Sequence, residues 1–465
     1  MWAKAYRARY FRTAALIAAF GLAASLPQRV SAQAASAVVT GVVTDPSGAA
    51  VPKAQVQLTN VNTSVTRSTE TNTHGNYLFL NVTPGTYTMR ASASGFSAVT
   101  QPPVTLQVNQ TANFDFHLKV GQTSTTVTVN ASAAEVETAT AELGTVVNTH
   151  EVNNLPLNGR NFTELLTITP GAANVNRDQS AGGGGGFVGA PVGAFAFPAI
   201  NGARVRSNSF LLDGINDLNT FLTTYNVSPI IDDIQEFKVQ GHNDEAQYGG
   251  VMGGIVSVVS KSGTNQYHGT LWEFLRNSAM DARGFFNAAL PPLRQNQFGA
   301  AGGGPISIPK IYNGKDRTFF YAAYEGYRAH SSNEGGAFGP TDAMRNGDFS
   351  GIGKTIYDPN TTTYDAATNT YSRTPFAGNT VPSSDIGAVS QLYQSLVPHA
   401  GALLNGNNIY LSERSVVTND TGSIRADQYF GNRDQLMFRY SQYEESELLP
   451  NGVIGVNNDD IYGHN

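Results

Sequence analysis

Residues 423–442, SIRADQYFGNRDQLMFRYSQ, consist of two alternating segments on either side of the polar stretch 431–434. Side chains alternate between the two faces of a β-strand, so the pattern predicts a hairpin with one apolar and one charged face. The apolar positions are Ile424, Ala426, Phe430, Leu436, Phe438 and Tyr440, and the charged positions are Arg425, Asp427 and Arg439. Such a hairpin fits a water-soluble sandwich, whose charged face meets water, or a transmembrane barrel, whose apolar face meets lipid.

The composition favours a mainly β protein of two or three domains. The chain has 465 residues, of which only 14% are charged, and it contains 48 glycines. The low charged fraction and the many glycines favour strands joined by polar turns over long surface helices. The net charge of −6 gives no electrostatic reason to expect nucleic acid as a partner. Cysteine is absent, which excludes disulfides, thiolate metal sites and cysteine nucleophiles.

Residues 1–32 have the three-part pattern of a signal peptide. A basic segment precedes the apolar run AALIAAFGLAA at 14–24, and Val30-Ser31-Ala32 fits the small-x-small rule for cleavage. The apolar run is too short to span a bilayer comfortably. We therefore expect export into a Gram-negative type of envelope. No later stretch has about 18 consecutive apolar residues, so a membrane form of the mature chain would be a closed barrel.

Residues 33–120 predict a small β-sandwich, because short alternating segments are separated by Gly and Pro turns. The clearest alternation runs from 112 to 118. The stretches GVVTDPSGAAVPKAQVQLTN and TNTHGNYLFLNVTPGTYTMRASASGF resemble the carboxypeptidase-regulatory-like domain, a Greek-key sandwich grouped with carbohydrate-binding-like folds. The resemblance implies an accessory, non-catalytic module.

The rest of the chain divides into three parts. Residues 121–135 are predicted to be a linker, residues 136–262 a small α/β region, and residues 263–465 a strand-rich region. Between the last strands, 331–420 is long and polar. A loop of this length is unusual inside a compact soluble domain but normal on the extracellular side of a large barrel. The predicted elements of the α/β region are a short helix at 161–168, strands at 209–215 and 236–241, and a helical turn at 230–235.

Three stretches in this order resemble TonB-dependent outer-membrane receptors of the Oar-like group. They are LPLNGRNFTELLTITPG (155–171), INGARVRSNSFLLDGIND (200–217) and IQEFKVQGHNDEAQYGGVMGGIVSVVSKSGTNQYHGTLWEFLRN (234–277). The resemblance implies that 136–262 is a plug domain inside a barrel whose first strands lie in 263–465. A barrel of this kind has about 22 strands. Only five or six candidates follow Tyr267, so we expect an N-terminal fragment of a longer receptor with an incomplete barrel.

The resemblance also implies a partner, the TonB energy-coupling protein, which pairs strand to strand with a short segment near the plug. Thr126, Val127, Thr128 and Val129 occupy the expected place, with an ordinary linker or the first plug strand as the alternative. Arg425, Asp427 and Arg439 are expected to face the barrel lumen, where they line a substrate path or are simply solvated. The apolar face would then contact outer-membrane lipid. Asp213-Gly214 resembles a plug motif but is also an ordinary turn.

The sequence predicts no enzyme, no metal and no cofactor. His242-Asn243-Asp244-Glu245 has the spacing of two zinc ligands, but zinc needs a third ligand and an ordered second shell. We therefore predict uptake of an unknown small-molecule, carbohydrate or peptide ligand across the outer membrane. The alternative is a secreted or surface binding protein that uses the carbohydrate-binding-like sandwich. A zinc peptidase is a weaker third hypothesis.

Overall fold

The computed structural model describes residues 35–121, 126–128, 143–155, 157, 160–174, 198–204, 207–219, 224–242, 252–283, 290–401, 407–432, 434–448 and 461–464. The chain is mainly β and contains three units in sequence order. They are a sandwich, a small mixed unit and a large antiparallel sheet. We refer to the mixed unit, 143–260, as the plug unit and to the large sheet as the barrel sheet. The signal-like segment 1–32 and Val129 lie outside the described residues.

The sandwich has two sheets around one apolar core. Its strands are β1 (Ala37–Thr44), β2 (Gln55–Asn60), β3 (Thr66–Glu70), β4 (Asn76–Val82), β5 (Gly85–Ser92), β6 (Ala98–Leu106), β7 (Thr111–Asn113), β8 (Phe116–His117) and β9 (Thr126–Thr128). One sheet has the order β4-β1-β7, with β8 also paired to β1, and the other has the order β3-β2-β5-β6-β9. Along β1 every second side chain is buried, as alternation requires. Leu58, Met89 and Phe116 are among the fully buried core residues.

The strand predicted at 112–118 is interrupted. Its two pieces, β7 and β8, each pair in parallel with β1. Between them the Asp115 carboxylate accepts the backbone N–H of Val42 at 2.8 Å. Gly41 allows this close approach, because a Cβ there would lie 1.9 Å from the Phe114 carbonyl oxygen. A side chain–backbone bond thus replaces part of the ladder, which alternation alone does not reveal.

The plug unit is built on a five-stranded sheet. Its strands are β10 (Leu143–Asn148), β11 (Ala172–Asn174), β12 (Pro198–Ile200), β13 (Ser209–Leu212), β14 (Ile215–Asn216), β15 (Leu218–Asn219), β16 (Thr224–Tyr225), β17 (Ile234–His242) and β18 (Ile255–Ser260). The sheet order is β10-β17-β18-β13-β14, with β11–β12 and β15–β16 as separate pairs. An α-helix spans Thr149–Asn154, and 3₁₀ helices span Phe162–Ile168 and Ile231–Asp233. The helix predicted at 161–168 is therefore present but is a 3₁₀ helix.

The barrel sheet has six antiparallel strands and is not closed within the described residues. The strands of this region are β19 (His268–Asn277), β20 (Leu293–Pro305), β21 (Ser307–Ile308), β22 (Tyr312–Asn313), β23 (Thr318–Ala337), β24 (Thr363–Asp365), β25 (Thr370–Ser372), β26 (Ile409–Phe430), β27 (Asp434–Leu448) and β28 (Ile461–His464). The sheet order is β19-β20-β23-β26-β27-β28. The other strands form the small pairs β21–β22 and β24–β25.

The β26–β27 hairpin has the predicted alternation. Ile424 is paired with Tyr440, and Ala426 with Phe438, on one face. The large side chains of that face are exposed, with Ile424 at 43% and Tyr440 at 55%. On the opposite face Arg425 is paired with Arg439 and is buried against the plug unit. The sheet therefore has an apolar outer face and a charged inner face.

The connections of the barrel sheet are very unequal in length. The β26–β27 turn and the connection 306–317 between β20 and β23 lie at one end, whereas residues 338–408 form a much longer excursion at the other end. The loop predicted at 331–420 is thus too long, because β23 extends to Ala337 and β26 begins at Ile409. No strand was predicted at β20, since its run of glycines hides the alternation. The excursion contains two α-helices, Asp342–Arg345 and Ala388–Leu396, and several short 3₁₀ turns.

None of the helices among the described residues is long and apolar enough to cross a membrane.

Two glycines of the barrel sheet provide a test of its packing. A Cβ at Gly299 would lie 2.3 Å from Trp272 and 2.4 Å from the Tyr324 carbonyl oxygen, whereas a Cβ at Gly422 would have no neighbour within 4 Å. We expect Gly299→Ala to lower the free energy of unfolding by about 1–3 kcal/mol, because the indole must move. Gly422→Ala is the matched control and should change it by less than about 1 kcal/mol. Urea unfolding of the purified chain in detergent measures both, and equal effects would contradict the packing.

Candidate functional site

The turn between β13 and β14 positions the central carboxylate of the site. Asp213 and Gly214 both have positive φ, at 52° and 84°, which is the two-residue hairpin turn that Asp-Gly favours. The Asp213 carboxylate accepts the backbone N–H of Ser260 at 2.9 Å and its hydroxyl at 2.6 Å. Because Asp213 is only 6% exposed, its charge requires a partner.

Arg425 of the barrel sheet supplies that partner. Its Nη1 donates to Asp213 Oδ1 at 3.2 Å and to the Ser260 carbonyl oxygen at 2.8 Å. Its Nε and Nη2 donate to the two oxygens of Asp427 at 2.9 and 3.0 Å. One guanidinium therefore joins the plug unit to the barrel sheet while it holds Asp427 in a bidentate pair.

Arg439 makes a second connection from the neighbouring strand. Its Nη1 lies 3.1 Å from Asp213 Oδ2, and its Nη2 lies 2.8 Å from Asp233 Oδ2. Ser423 also donates to Asp233 at 2.9 Å. We refer to Asp213, Asp233, Arg425, Asp427 and Arg439 as the arginine cluster. The three hairpin residues singled out in the sequence thus come together on the face that meets the plug unit, and their plug partners were not predicted.

A second charged cluster connects the plug unit to other barrel strands. The Arg160 guanidinium pairs with Asp232 and lies 3.4 Å from Glu325 of β23. Glu325 also accepts the Trp272 indole N–H at 3.2 Å and the Gln297 amide at 3.0 Å. The same guanidinium lies over the Trp272 ring, 5.4 Å from its centroid. We refer to these five residues as the Arg160 cluster.

The 3₁₀ turn Ile231–Asp233 links the two clusters. Its consecutive carboxylates diverge, with Asp232 bound to Arg160 and Asp233 bound to Arg439. Ile230 and Ile231 are buried and anchor the turn, and Tyr321 of the barrel sheet donates to the Asp232 carbonyl oxygen at 2.8 Å. The helical turn predicted at 230–235 is therefore present, but the role of its carboxylates was not predicted. The signal that could have identified that role is the sequence IIDD, in which two apolar anchors precede two acids. Arg160 was quoted only as part of a longer motif and was not singled out.

The plug–barrel contact is therefore mainly polar. Its apolar part is small and consists of Ile230, Ala301, Tyr321 and Ala323, with Trp272 at its edge. Ion pairs that separate into water recover hydration, whereas a separated apolar contact does not. The two units are therefore held in register mainly by ion pairs and hydrogen bonds.

The β6–β7 turn of the sandwich contacts the face of the plug sheet that carries Glu236 and Lys238. Glu236 accepts the Val108 backbone N–H at 2.5 Å, and Lys238 donates to the Asn109 carbonyl oxygen at 3.0 Å. The Asn109 amide donates to Ser257 Oγ at 3.1 Å. We refer to these contacts as the sandwich clamp. Burial raises the pKa of Glu236 to about 7, although the Val108 N–H and the charge of Lys238 act to lower it.

A cavity of about 1000 Å³ lies where the sandwich, the plug unit and the β26–β27 turn meet. Its lining includes Arg67 of the sandwich, Glu236 and Lys261 from the plug side, and Tyr429 and Asn432 of the hairpin. Burial lowers the pKa of Lys261. The cavity is thus lined by all three units at the end of the barrel sheet where connections are short.

The other predicted residues are partly described. Thr126, Val127 and Thr128 form β9 and pair in parallel with β6, while Val129 lies outside the described residues. Residues 243–245 of the HxxE pattern also lie outside them. Within the described part of the chain, no group of three or more His, Asp or Glu residues could hold a metal ion.

Two parts of the chain match known domain families. Residues 259–465 match the outer membrane beta barrel domain, and residues 38–119 match the carboxypeptidase regulatory-like domain. The chain resembles TonB-dependent outer-membrane receptors. The TonB-dependent transporter Oar of Myxococcus xanthus is 23% identical over 322 residues, which cover 65% of this chain and 28% of that transporter. The chain thus spans less than a third of the length of this relative.

Two solved structures of outer-membrane proteins are also similar to part of the chain. The outer membrane transporter YddB from Escherichia coli is 10% identical with a TM-score of 0.39, over 66% of this chain and 33% of that one. The ferric-catecholate import receptor Fiu from Escherichia coli, in its open form, is 16% identical with a TM-score of 0.28, over 66% and 40% of the two chains.

The arginine cluster predicts a large cost for removing one cation. We expect Arg425→Met to lower the free energy of unfolding by about 3–5 kcal/mol, because Asp427 would remain buried without its cation and Asp213 would keep only Arg439. Arg276→Met is the control, since the Arg276 side chain is 52% exposed and its pair with Asp281 is 3.4 Å long. It should cost less than about 1 kcal/mol. Urea unfolding in detergent compares them, and a small effect of Arg425→Met would mean that the cluster is not coupled as described.

The sandwich clamp predicts a pH dependence. Because burial raises the pKa of Glu236 from 4.5 to about 7, the folded protein binds a proton that the unfolded chain releases over this range. The stability that Glu236 contributes is therefore greatest below about pH 4.5 and falls as the pH rises to about 7. Glu236→Gln keeps an oxygen to accept the Val108 N–H and removes the titration. The difference in unfolding free energy between wild type and variant, measured from pH 4.5 to 8, should change with this sign; a constant difference would refute it.

Proposed function

We propose that the chain is part of an outer-membrane receptor that takes up a ligand with energy supplied through TonB. The observation that carries the proposal is the pairing of two faces on one hairpin. Ile424 and Tyr440 form an exposed apolar surface suited to lipid, and Arg425 and Arg439 on the other face bind the plug unit through buried ion pairs. Soluble proteins rarely expose a contiguous apolar surface of this kind to water.

The unequal connections give the receptor an orientation. Outer-membrane barrels have short periplasmic turns and longer extracellular loops. The end with the β26–β27 turn would therefore face the periplasm, and the excursion 338–408 would face the outside. The sandwich lies at the short-turn end, where the Asn265 backbone N–H donates to the Asn62 carbonyl oxygen at 3.0 Å. The proposed orientation places it in the periplasm, within reach of an inner-membrane partner.

Ligand would enter from the excursion and pass where the plug unit now lies against the sheet. The excursion carries exposed tyrosines, and the rings of Tyr364 and Tyr371 on β24 and β25 are 4.9 Å apart. Such rings can stack on a sugar, a peptide or an aromatic small molecule. Passage requires the arginine cluster and the Arg160 cluster to separate, and the relative Oar supports TonB as the source of work.

The proposal is tested in the native source. Membranes are fractionated and probed with an antibody against residues 38–118, with and without boiling before electrophoresis. A heat-modifiable band in the outer membrane is expected, because closed barrels resist detergent until heated. Deletion of the gene for this protein and deletion of the gene for TonB should each abolish growth on the same ligand. The double deletion should have no greater effect than either single deletion. A soluble band unchanged by boiling would leave a secreted binding protein.

The apolar face predicts a position-dependent effect of charge. Ile424→Arg places a cation on the face proposed to meet lipid, which costs about 2–4 kcal/mol at the bilayer midplane and less near its edges. We expect less protein in the outer membrane and a weaker heat-modifiable band. Val389→Arg is the matched control, because Val389 is also apolar and exposed, at 70%, but lies on a helix of the excursion. If both variants assembled equally well, the lipid face would be wrongly placed.

A further inference from the structure

The cavity between the sandwich, the plug unit and the β26–β27 turn lies at the opposite end of the barrel sheet from the excursion. Its volume is about 1000 Å³, and no residue of 338–408 lines it. A cavity of this size holds a small organic molecule, and a few placed polar groups decide which one. The charges of its lining therefore indicate the class of ligand that fits.

Arg67 brings a guanidinium to the cavity from strand β3 of the sandwich. It donates to the main-chain carbonyl oxygens of Leu80 at 2.8 Å and Asn81 at 3.0 Å. These carbonyls position the guanidinium but do not neutralise it, and no carboxylate of the described residues pairs with it. Burial lowers the pKa of Arg67, because its charge is partly removed from water. Several of the five N–H groups of a guanidinium remain for a ligand.

Lys261 brings a second cation from the plug side, directly after β18. Within the part of the chain that the structure describes, its ammonium donates no hydrogen bond. The two carboxylates that act on its charge, Asp232 and Asp233, are already paired with Arg160 and Arg439. Lys261 is therefore a half-buried cation without a direct counter-ion.

The acids that line the cavity do not supply the missing counter-ion. Asp213 is bound to Arg425 and Arg439. Glu236 belongs to the sandwich clamp, and burial raises its pKa to about 7. Asp434 lies exposed at the hairpin turn. An anion that entered the cavity would offset the cost of two half-buried cations.

Apolar side chains from all three units also line the cavity. They are Leu80 of the sandwich, Ile215 of the plug unit and Met437 of the hairpin. Leu80 and Ile215 are 52% and 61% exposed, although both are large and apolar. Inorganic phosphate has no group that would cover such a wall. An organic acid with a carboxylate at each end has a charge for each cation and an apolar body for the wall.

We propose that the cavity binds an organic dicarboxylate, with one carboxylate on Arg67 and the other on Lys261. The bound acid joins the sandwich to the plug unit at a second place besides the sandwich clamp. This site goes beyond the proposed function, because it requires neither TonB nor the transported ligand. Its test is therefore independent of whether the chain takes part in uptake.

Isothermal titration calorimetry of the full chain in detergent tests the site with succinate, adipate and suberate as probes. Each is compared with the monocarboxylate of the same length: butyrate, hexanoate or octanoate. At least one dicarboxylate should bind about tenfold or more tightly than its monocarboxylate, because it makes one more charge-assisted contact. Failure of all three dicarboxylates to bind would overturn the proposal. Inorganic phosphate that bound as tightly as the best of them would also overturn it.

Variants of the two cations locate the binding. Arg67→Met and Lys261→Met should each remove the preference for the dicarboxylate. Arg90→Met is the matched control and should keep it, because Arg90 lies exposed on β5 of the same sandwich and does not line the cavity.

Charge-conserving variants separate loss of charge from loss of fold. Arg67→Lys and Lys261→Arg should keep most of the preference, and the thermal unfolding midpoint checks that each variant is folded. Survival of the preference in both methionine variants would overturn the proposal. Its loss in the folded charge-conserving variants would do the same, because charge would then not be what the site recognises.

Discussion

The inner face of the β26–β27 hairpin carries two arginines that water does not reach, and the rest of the arrangement depends on neutralising them. Strand alternation leaves no choice of face, because Ile424 and Tyr440 point outward and Arg425 and Arg439 must then point inward. A buried guanidinium without a carboxylate is costly. The plug unit supplies Asp213 from a tight turn and Asp233 from a 3₁₀ turn. The position of the plug unit against the sheet must therefore bring these two carboxylates within reach of the arginines.

The sequence revealed one side of this contact and not the other. The parity of the hairpin predicted that Arg425, Asp427 and Arg439 share a face, because alternation is a local property of a strand. Their partner Asp213 lies more than 200 positions earlier in the chain, and no periodicity connects the two. Asp213-Gly214 was interpreted as either a plug motif or an ordinary turn, and neither interpretation says what the carboxylate binds. Arg160 remained unnoticed for the same reason.

Failures of the strand predictions have local causes. β20 was not predicted because Gly299 and its neighbouring small residues have no side chains that alternate, and the aromatic rings of Trp272, Tyr321 and Tyr267 fill the space instead. The strand at 112–118 was predicted as continuous because alternation does not register the Asp115 bond to Val42. Strand β17 shows a subtler limit. Phe237 and Val239 alternate with Glu236 and Lys238 as in a half-exposed strand, yet all four are buried because the sandwich covers the polar side.

The distribution of polar and apolar contacts indicates how the units can move. Apolar side chains are concentrated within the sandwich and within the plug unit, whose core includes Phe162, Leu166 and Phe237. The contacts between units are largely hydrogen bonds and ion pairs: the arginine cluster and the Arg160 cluster on the barrel side, and the clamp on the sandwich side. Breaking polar contacts exposes groups that water can solvate, whereas opening an apolar core does not. The interfaces between units should therefore open before any one unit unfolds. At the sandwich interface burial raises the pKa of Glu236 to about 7, so the clamp weakens as the pH rises through this range.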